Sequence, residues 1–372
     1  MKLLKYFLLT LILLNMTSFS LTVLGSGAGS LFSALLFGCT LLYYFLNTKP
    51  KPQLIFILLG LCYFLISGLK YSGPIREFFV DAIKYFIFIV GAVSIAKDTN
   101  RKEIGWIIFI GAMSVLINAV VFSNAYGRYG GFYINPNRAG GACLLAFSLT
   151  FYLQKTYLKL FIQLLIVIAG IMTLSRTFIL MLLVINLIAI FANKKNSISL
   201  VAGSVAIVLV LTVSSLFNLN TVRFSAFKSI FGSEEMETKT ITRGSRNETW
   251  ALYTDIILNN PVTGIGYNGL HGKQANVNIK SGVHNTFLMA IGESGIITFL
   301  LFIILYLALF FRSLKHIKSN PEYTCIATVL ISFLLVSHNY FDNYLILFFS
   351  IWLYDQVKSK SEYKISKIPV KL

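Results

Sequence analysis

Four positions join reactive residue types to unusual surroundings: Arg176, Arg246, His284 and Glu293. His284 and Asn285 stand directly before a long apolar run, in VHNTFLMAIGESGIIT. Arg176 lies in MTLSRTFILML, in the middle of an apolar stretch covering about residues 160–193. Arg243 and Arg246 precede Trp250 in RGSRNETW. A histidine titrates near neutral pH and can take a proton from a hydroxyl. Arginine presents a fixed fork of donors that matches phosphate oxygens bidentately. Arg246 opens a predicted helix, where unpaired N–H groups and the positive dipole end favour an anion. These residue types suit attack by a hydroxyl on a carbon whose leaving group is a phosphate or diphosphate. Each also has a plainer reading. Arg176 could be a snorkelling arginine that marks a turn, and His284 an interfacial hydrogen-bonder. Glu293, beside Gly292 and Gly295, could serve close helix packing, pair with a buried basic group, or act in function.

Other chemistries are disfavoured. There is no D-x-D pair, and the acidic run SEEMET (Glu234, Glu235, Glu237) reads as a solvated face, so no metal site is expected. Neither a phosphate-binding G-x-x-x-x-G-K-[ST] loop nor a G-x-S-x-G elbow occurs. Cys39, Cys62, Cys143 and Cys325 fall in or beside apolar segments without metal-ligand spacing, and read as small core residues. No cofactor is implied.

The elements that must position these residues are membrane helices. Of the 372 residues 56% are hydrophobic, and mean hydropathy is +0.75. Apolar runs long enough to cross a bilayer recur along the chain, and lipid requires each segment to satisfy its own backbone groups. The expected fold is all-α and polytopic, with about twelve spans near 3–24, 28–46, 54–69, 83–96, 104–122, 140–154, 160–175, 177–193, 197–218, 286–311, 324–340 and 342–356. The first resembles a signal peptide but is followed at once by another apolar run, so it reads as an uncleaved span. Net charge is +18. With the N-terminus inside, the inner segments hold 19 of the 32 Lys and Arg, at least two in each. The positive-inside rule then places both termini in the cytoplasm. The basic excess belongs with membrane lipids and topology; no nucleic-acid motif accompanies it.

This divides the chain into N-terminal membrane helices (1–218), one long outer loop (219–285) and C-terminal helices with a basic tail (286–372). The loop is the sizeable soluble piece. Ser245 and Glu248 form an S-x-x-E capping-box signature, apolar residues follow at helical spacing, and Asn260 and Pro261 stop the helix. GIGYNG then forms a turn-rich loop. Arg176, Arg243, Arg246, His284 and Asn285 all fall on the outer face. GRYGGFYINPNRAGG (127–141) adds Arg128, Arg138 and several aromatics there. These suit sugar and phosphate contacts, and equally a membrane-interface belt.

The motifs resemble a family. H-N followed after nine residues by G-x-x-T (His284, Asn285, Gly295, Thr298), the R-x-x-x-L of Arg176–Leu180, and R-x-x-x-W followed by N-P-x-x-G-x-G are similar to the O-antigen ligase/O-antigen polymerase superfamily. The motif-bearing region covers about residues 170–300. The resemblance implies a multi-pass glycosyltransferase of the bacterial inner membrane with GT-C-like architecture. It would take a glycan from undecaprenyl diphosphate at the periplasmic face and pass it to a sugar hydroxyl, on lipid A–core or a growing glycan. The transfer would need no metal and would proceed with inversion, in lipopolysaccharide or surface polysaccharide biosynthesis. On the family's pattern His284 is the base or acceptor-orienting residue, and Arg176 and Arg246 hold the diphosphate. Arg243, Asn285, Trp250 and Arg138 are substrate-binding candidates. The motifs do not separate ligase from polymerase. The rival class is a transporter or flippase of lipid-linked sugars, which would carry basic residues through its spans rather than on one face.

Overall fold

The computed structural model describes residues 1–122, 127–213, 246–272 and 282–365. Among these residues the chain is helical, with no strand. The helices are α1 Lys2–Leu13, α2 Met16–Leu24, α3 Ser26–Leu46, α4 Leu54–Gly68, α5 Ile75–Lys97, α6 Arg101–Val121, α7 Pro136–Leu149 and α8 Thr156–Met172. They continue with α9 Arg176–Ala192, α10 Ser199–Val213, α11 Arg246–Asn259, α12 Thr286–Ser294, α13 Ile296–Leu314, α14 Pro321–Val336 and α15 Tyr344–Ile365.

Local signals set several boundaries. Asn100 and Glu103 form a capping box at the start of α6. Asn135 caps α7 ahead of Pro136, whose missing N–H costs nothing in a first turn. Among the described residues every expected span overlaps a helix or a helix pair, 214–218 lying outside them, but two expectations need correction. Segment 3–24 is bent by 65° between α1 and α2, where Asn15 takes a left-handed conformation (φ 53°). Segment 286–311 is broken at Gly295 (φ 81°), which separates α12 from α13. Among the described residues four helices, α3, α5, α6 and α13, are long and apolar enough to cross a membrane, and the bent α1–α2 pair makes five. The expectation of twelve is not met on length alone, because α4, α8, α9 and α14 have only 15, 17, 17 and 16 residues. At about 1.5 Å per residue these fall short of the roughly 30 Å hydrocarbon thickness.

The core is built on α7 and α14, which are buried over most of their length. Helices from before and after residues 219–285 interleave: α14 packs on α7 and α9, and α15 packs on α5. The periphery carries outward-facing Leu65, Ile83, Leu180, Phe191 and Ile304. Such a surface would be costly in water and suits lipid. The chain is a multi-pass membrane protein by these helices.

The two ends of the body differ. At one end Lys5 pairs with Glu103 at 2.7 Å, Arg101 pairs with Glu322, Tyr43 donates to Asp98 at 2.9 Å and the Trp352 indole N–H donates to the Thr99 carbonyl at 3.0 Å. These contacts gather segments that the charge count assigns to one side. The α4–α5, α8–α9 and α14–α15 turns lie at the opposite ends of the same helices.

Candidate active site

The second end is organised around Glu293, in the last turn of α12 and fully buried. The Tyr63 hydroxyl donates to its Oε2 at 2.5 Å. The Leu270 N–H donates to Oε1 at 3.0 Å, and His271 Nδ1 lies 3.1 Å from the same oxygen. One buried carboxylate thus ties α4 and the loop after α11 to α12. The backbone reinforces this. Ile265 and Gly266 N–H donate to the Gly292 and Glu293 carbonyls at 2.7 and 3.1 Å, and Tyr267 N–H donates to Ser67 at 3.0 Å. The glycines of NPVTGIGYNG permit the approach: a Cβ on Gly264 (φ 63°) would collide with the backbone of Glu293. Gly295 is pressed in the same way against the Val262 carbonyl. The partners of Glu293 are therefore a tyrosine, a backbone amide and a histidine. Gly292 and Gly295 serve loop-to-helix contact, against Leu270 and the Val262 carbonyl.

Three of the four histidines meet here. The His338 ring lies 4.6 Å from His271 and 4.8 Å from His284, centre to centre. α14 ends at Val336, so His338 sits in the turn beyond it and not within the expected span 324–340. Among the described residues its Nδ1 has no hydrogen-bond partner. Burial pushes its pKa down to about 3, helped by the like charges that His271, His284 and Arg138 can carry. His338 is therefore neutral at neutral pH. The unfolded chain takes up this proton near pH 6.5 and the folded chain only near 3, so folding stability should fall as pH drops through that interval. His338→Gln should flatten the decline. Melting temperatures of the detergent-purified protein across that range test this; an equal acid slope in the variant would place the sensitivity elsewhere.

His284 itself is exposed and held in a left-handed conformation (φ 47°), a costly geometry for a non-glycine residue. Asn285 is the N-cap of α12, accepting from the Phe287 and Leu288 N–H groups at 2.9 and 3.1 Å. Its side-chain oxygen is committed to that cap. Arg176 is exposed at the start of α9. Arg138, half-buried in the first turn of α7, acts electrostatically on His338. Arg128 joins the two arginine positions: its Nε donates to the Thr173 carbonyl at 3.1 Å and its Nη2 to Asn137 at 2.9 Å. Gly140 lies close against Ser175 across the same junction. The α7 N-terminus and the α8–α9 turn thus present Arg128, Arg138 and Arg176 together. Trp250 is half-buried in α11 and packs against the core. α11 begins at Arg246, as expected from the capping signature, but the Arg246 side chain lies outside the described residues. So do Arg243, Ser245 and the SEEMET carboxylates.

A cavity of about 230 Å³ opens beside the histidines, with His271, His338, Tyr63 and Tyr267 in its wall. His271, His338 and Tyr63 were not singled out in the sequence. The available signal was the second His-Asn dipeptide, His338-Asn339, which repeats His284-Asn285.

The chain's own segment from α8 into α13 carries the decisive similarity. Residues 161–303 match the family model described as O-antigen ligase. That segment is similar to the O-antigen ligase family. No curated protein matches the chain. The O-antigen ligase match bears out the resemblance read from the motifs. It contains Arg176, His271, His284 and Glu293, while Arg138 and His338 join them from outside it. The chain is accordingly a multi-pass membrane protein whose segment 161–303 is similar to the O-antigen ligase family.

Proposed function

We propose that the protein transfers a glycan from undecaprenyl diphosphate to a sugar hydroxyl at the periplasmic face of the bacterial inner membrane. The observation that carries this reading is the meeting of His284, His338 and Arg138 at one end of the helical body, with the exposed Arg176 at the start of α9 on the α8–α9 turn that Arg128 ties to α7. His284 accepts the proton of the attacking hydroxyl. The hydroxyl oxygen forms a bond to the anomeric carbon as the bond to the diphosphate oxygen breaks, with inversion. The electron pair leaves with undecaprenyl diphosphate, whose charge Arg176 and Arg246 hold. The imidazolium of His284 then returns its proton to solvent. A headgroup-level diphosphate requires this machinery at the mouth of the membrane domain, with a rigid helix as its mount. α12, fixed through Glu293, is that mount.

Twelve spans and a GT-C-like architecture fit this reading, with both termini cytoplasmic. In a cysteine-free background, an impermeant thiol reagent should label single cysteines within 225–280 from outside and those after 358 only from inside. Labelling of both groups from one side would contradict the sidedness and the catalytic face together.

Transfer itself is tested with purified protein in vesicles containing an undecaprenyl-diphosphate-linked glycan and a panel of saccharide acceptors. Glycosylated acceptor should form, and should persist in excess chelator. Activity that disappears with chelator and returns with Mg²⁺ or Mn²⁺ would instead direct attention to Glu234, Glu235 and Glu237 as ligands.

A further inference from the structure

The cavity beside the histidines differs in charge from the arginine junction that faces His338 from α7. Its wall includes two carboxylates, Asp81 and Asp342, and two carboxamides, Asn268 and Asn339. None of the described residues that line it is Lys or Arg. Asp81 is fixed by Tyr267, whose hydroxyl donates to its Oδ2 at 2.8 Å. Burial and this carboxylate push the Tyr267 pKa up, so the hydroxyl stays a donor. Asp342 is exposed, and Asn339 reaches its Oδ2 only at 3.4 Å. The aromatic wall is rigid: Tyr63 and Phe341 stack at 3.8 Å with an interplanar angle of 15°.

Lys84 offsets part of the Asp81 charge at 3.8 Å, and the remaining negative charge disfavours a diphosphate. Carboxylates and carboxamides instead accept and donate hydrogen bonds to vicinal hydroxyls, and aromatic rings cover the apolar face of a pyranose. The volume, about 230 Å³, lies below the roughly 300–1,000 Å³ of pockets that enclose drug-sized ligands and is on the scale of a single sugar ring. His271 and His338 face the same space.

We infer that this cavity is an acceptor-sugar subsite next to the transfer site, separated from His284 by the His338 ring, and that it selects a sugar ring without acidic substituents. The assignment rests on the transfer reading above. It divides the labour at His338: the arginine junction of α7 and α9 on one side, where Arg176 engages the diphosphate, and carboxylates on the other for acceptor hydroxyls.

The test is saturation-transfer NMR titration of the full-length protein in detergent, without donor, using methyl glycosides of a hexose, a hexosamine and a hexuronic acid. The hexoside and hexosaminide should bind and the hexuronide should not. Asp342→Asn should weaken the binding roughly tenfold, the size expected for one lost hydrogen bond to a charged acceptor. Asp342→Lys should admit the hexuronide, a gain that misfolding cannot produce. The inference is overturned if no glycoside binds, if the hexuronide binds the wild type as well as the others, or if both Asp342 variants bind like the wild type. Binding as described without any glycan transfer would leave the subsite standing and remove the transfer reading. Transfer without such binding would do the reverse.

Discussion

Replacing His284 by alanine should slow glycan transfer by roughly 10²–10⁴-fold, the range for losing one general base. Binding of the lipid-linked donor should be largely retained, because the arginines hold the diphosphate. The left-handed backbone at His284 (φ 47°) calls for a second variant. Asparagine tolerates that conformation and caps or turns as well as histidine does, yet cannot act as a base near neutral pH. His284→Asn should therefore be as slow as His284→Ala while keeping the wild-type melting temperature. Arg176→Lys preserves charge and loses the bidentate fork, so it should weaken donor binding more than it changes the chemical step. Rates and donor affinities are compared at matched protein amounts in vesicles. Transfer at the wild-type rate by both His284 variants would make His284 structural and leave the proposed chemistry without a base.

The second large effect concerns Glu293→Ala. The substitution strands three buried or half-buried donors: the Tyr63 hydroxyl, the Leu270 N–H and His271. Each buried donor left unpaired costs roughly 1–3 kcal/mol, and the loop over 260–272 loses its side-chain anchor. The expected result is a clear fall in melting temperature, faster proteolysis within that loop, and transfer reduced along with it. Glu293→Gln keeps an acceptor oxygen and should lie between. Limited proteolysis and thermal melts of the purified variants measure this. An alanine variant with wild-type stability and an intact loop would mean that the backbone contacts of Gly264, Ile265 and Gly266 hold the loop alone.

Hydropathy located the helices because lipid-facing runs such as those around Leu180 and Phe191 must be apolar whatever packs behind them. The charge count separated the segments now seen at the Lys5–Glu103 end from those at the histidine end, since loop charge is a local property of sequence. Breaks were less legible. Asn15 and Gly295 both leave helical geometry; at Gly295 the Val262 carbonyl packs against the break, and an apolar window contains no record of that. The same limit explains the missed histidines. His271 and His338 lie in separate turns, and their meeting depends on Glu293 drawing the loop onto α12. Glu293 was marked as an anomaly, but its partners Tyr63 and His271 come from distant segments. Asn285 was legible as a polar residue at a doorway; its oxygen turns out to cap α12.

The most direct measurement follows both halves of the donor. Purified wild-type protein is placed in vesicles with undecaprenyl-diphosphate-linked glycan in one leaflet and saccharide acceptor outside, and lipid and saccharide products are identified by mass spectrometry. The expected products are glycan joined to an acceptor hydroxyl and one undecaprenyl diphosphate released for each transfer, both formed roughly 10²–10⁴-fold more slowly with His284→Asn. Intact lipid-linked glycan recovered from the opposite leaflet, with no glycosylated acceptor, would contradict it and identify a flippase.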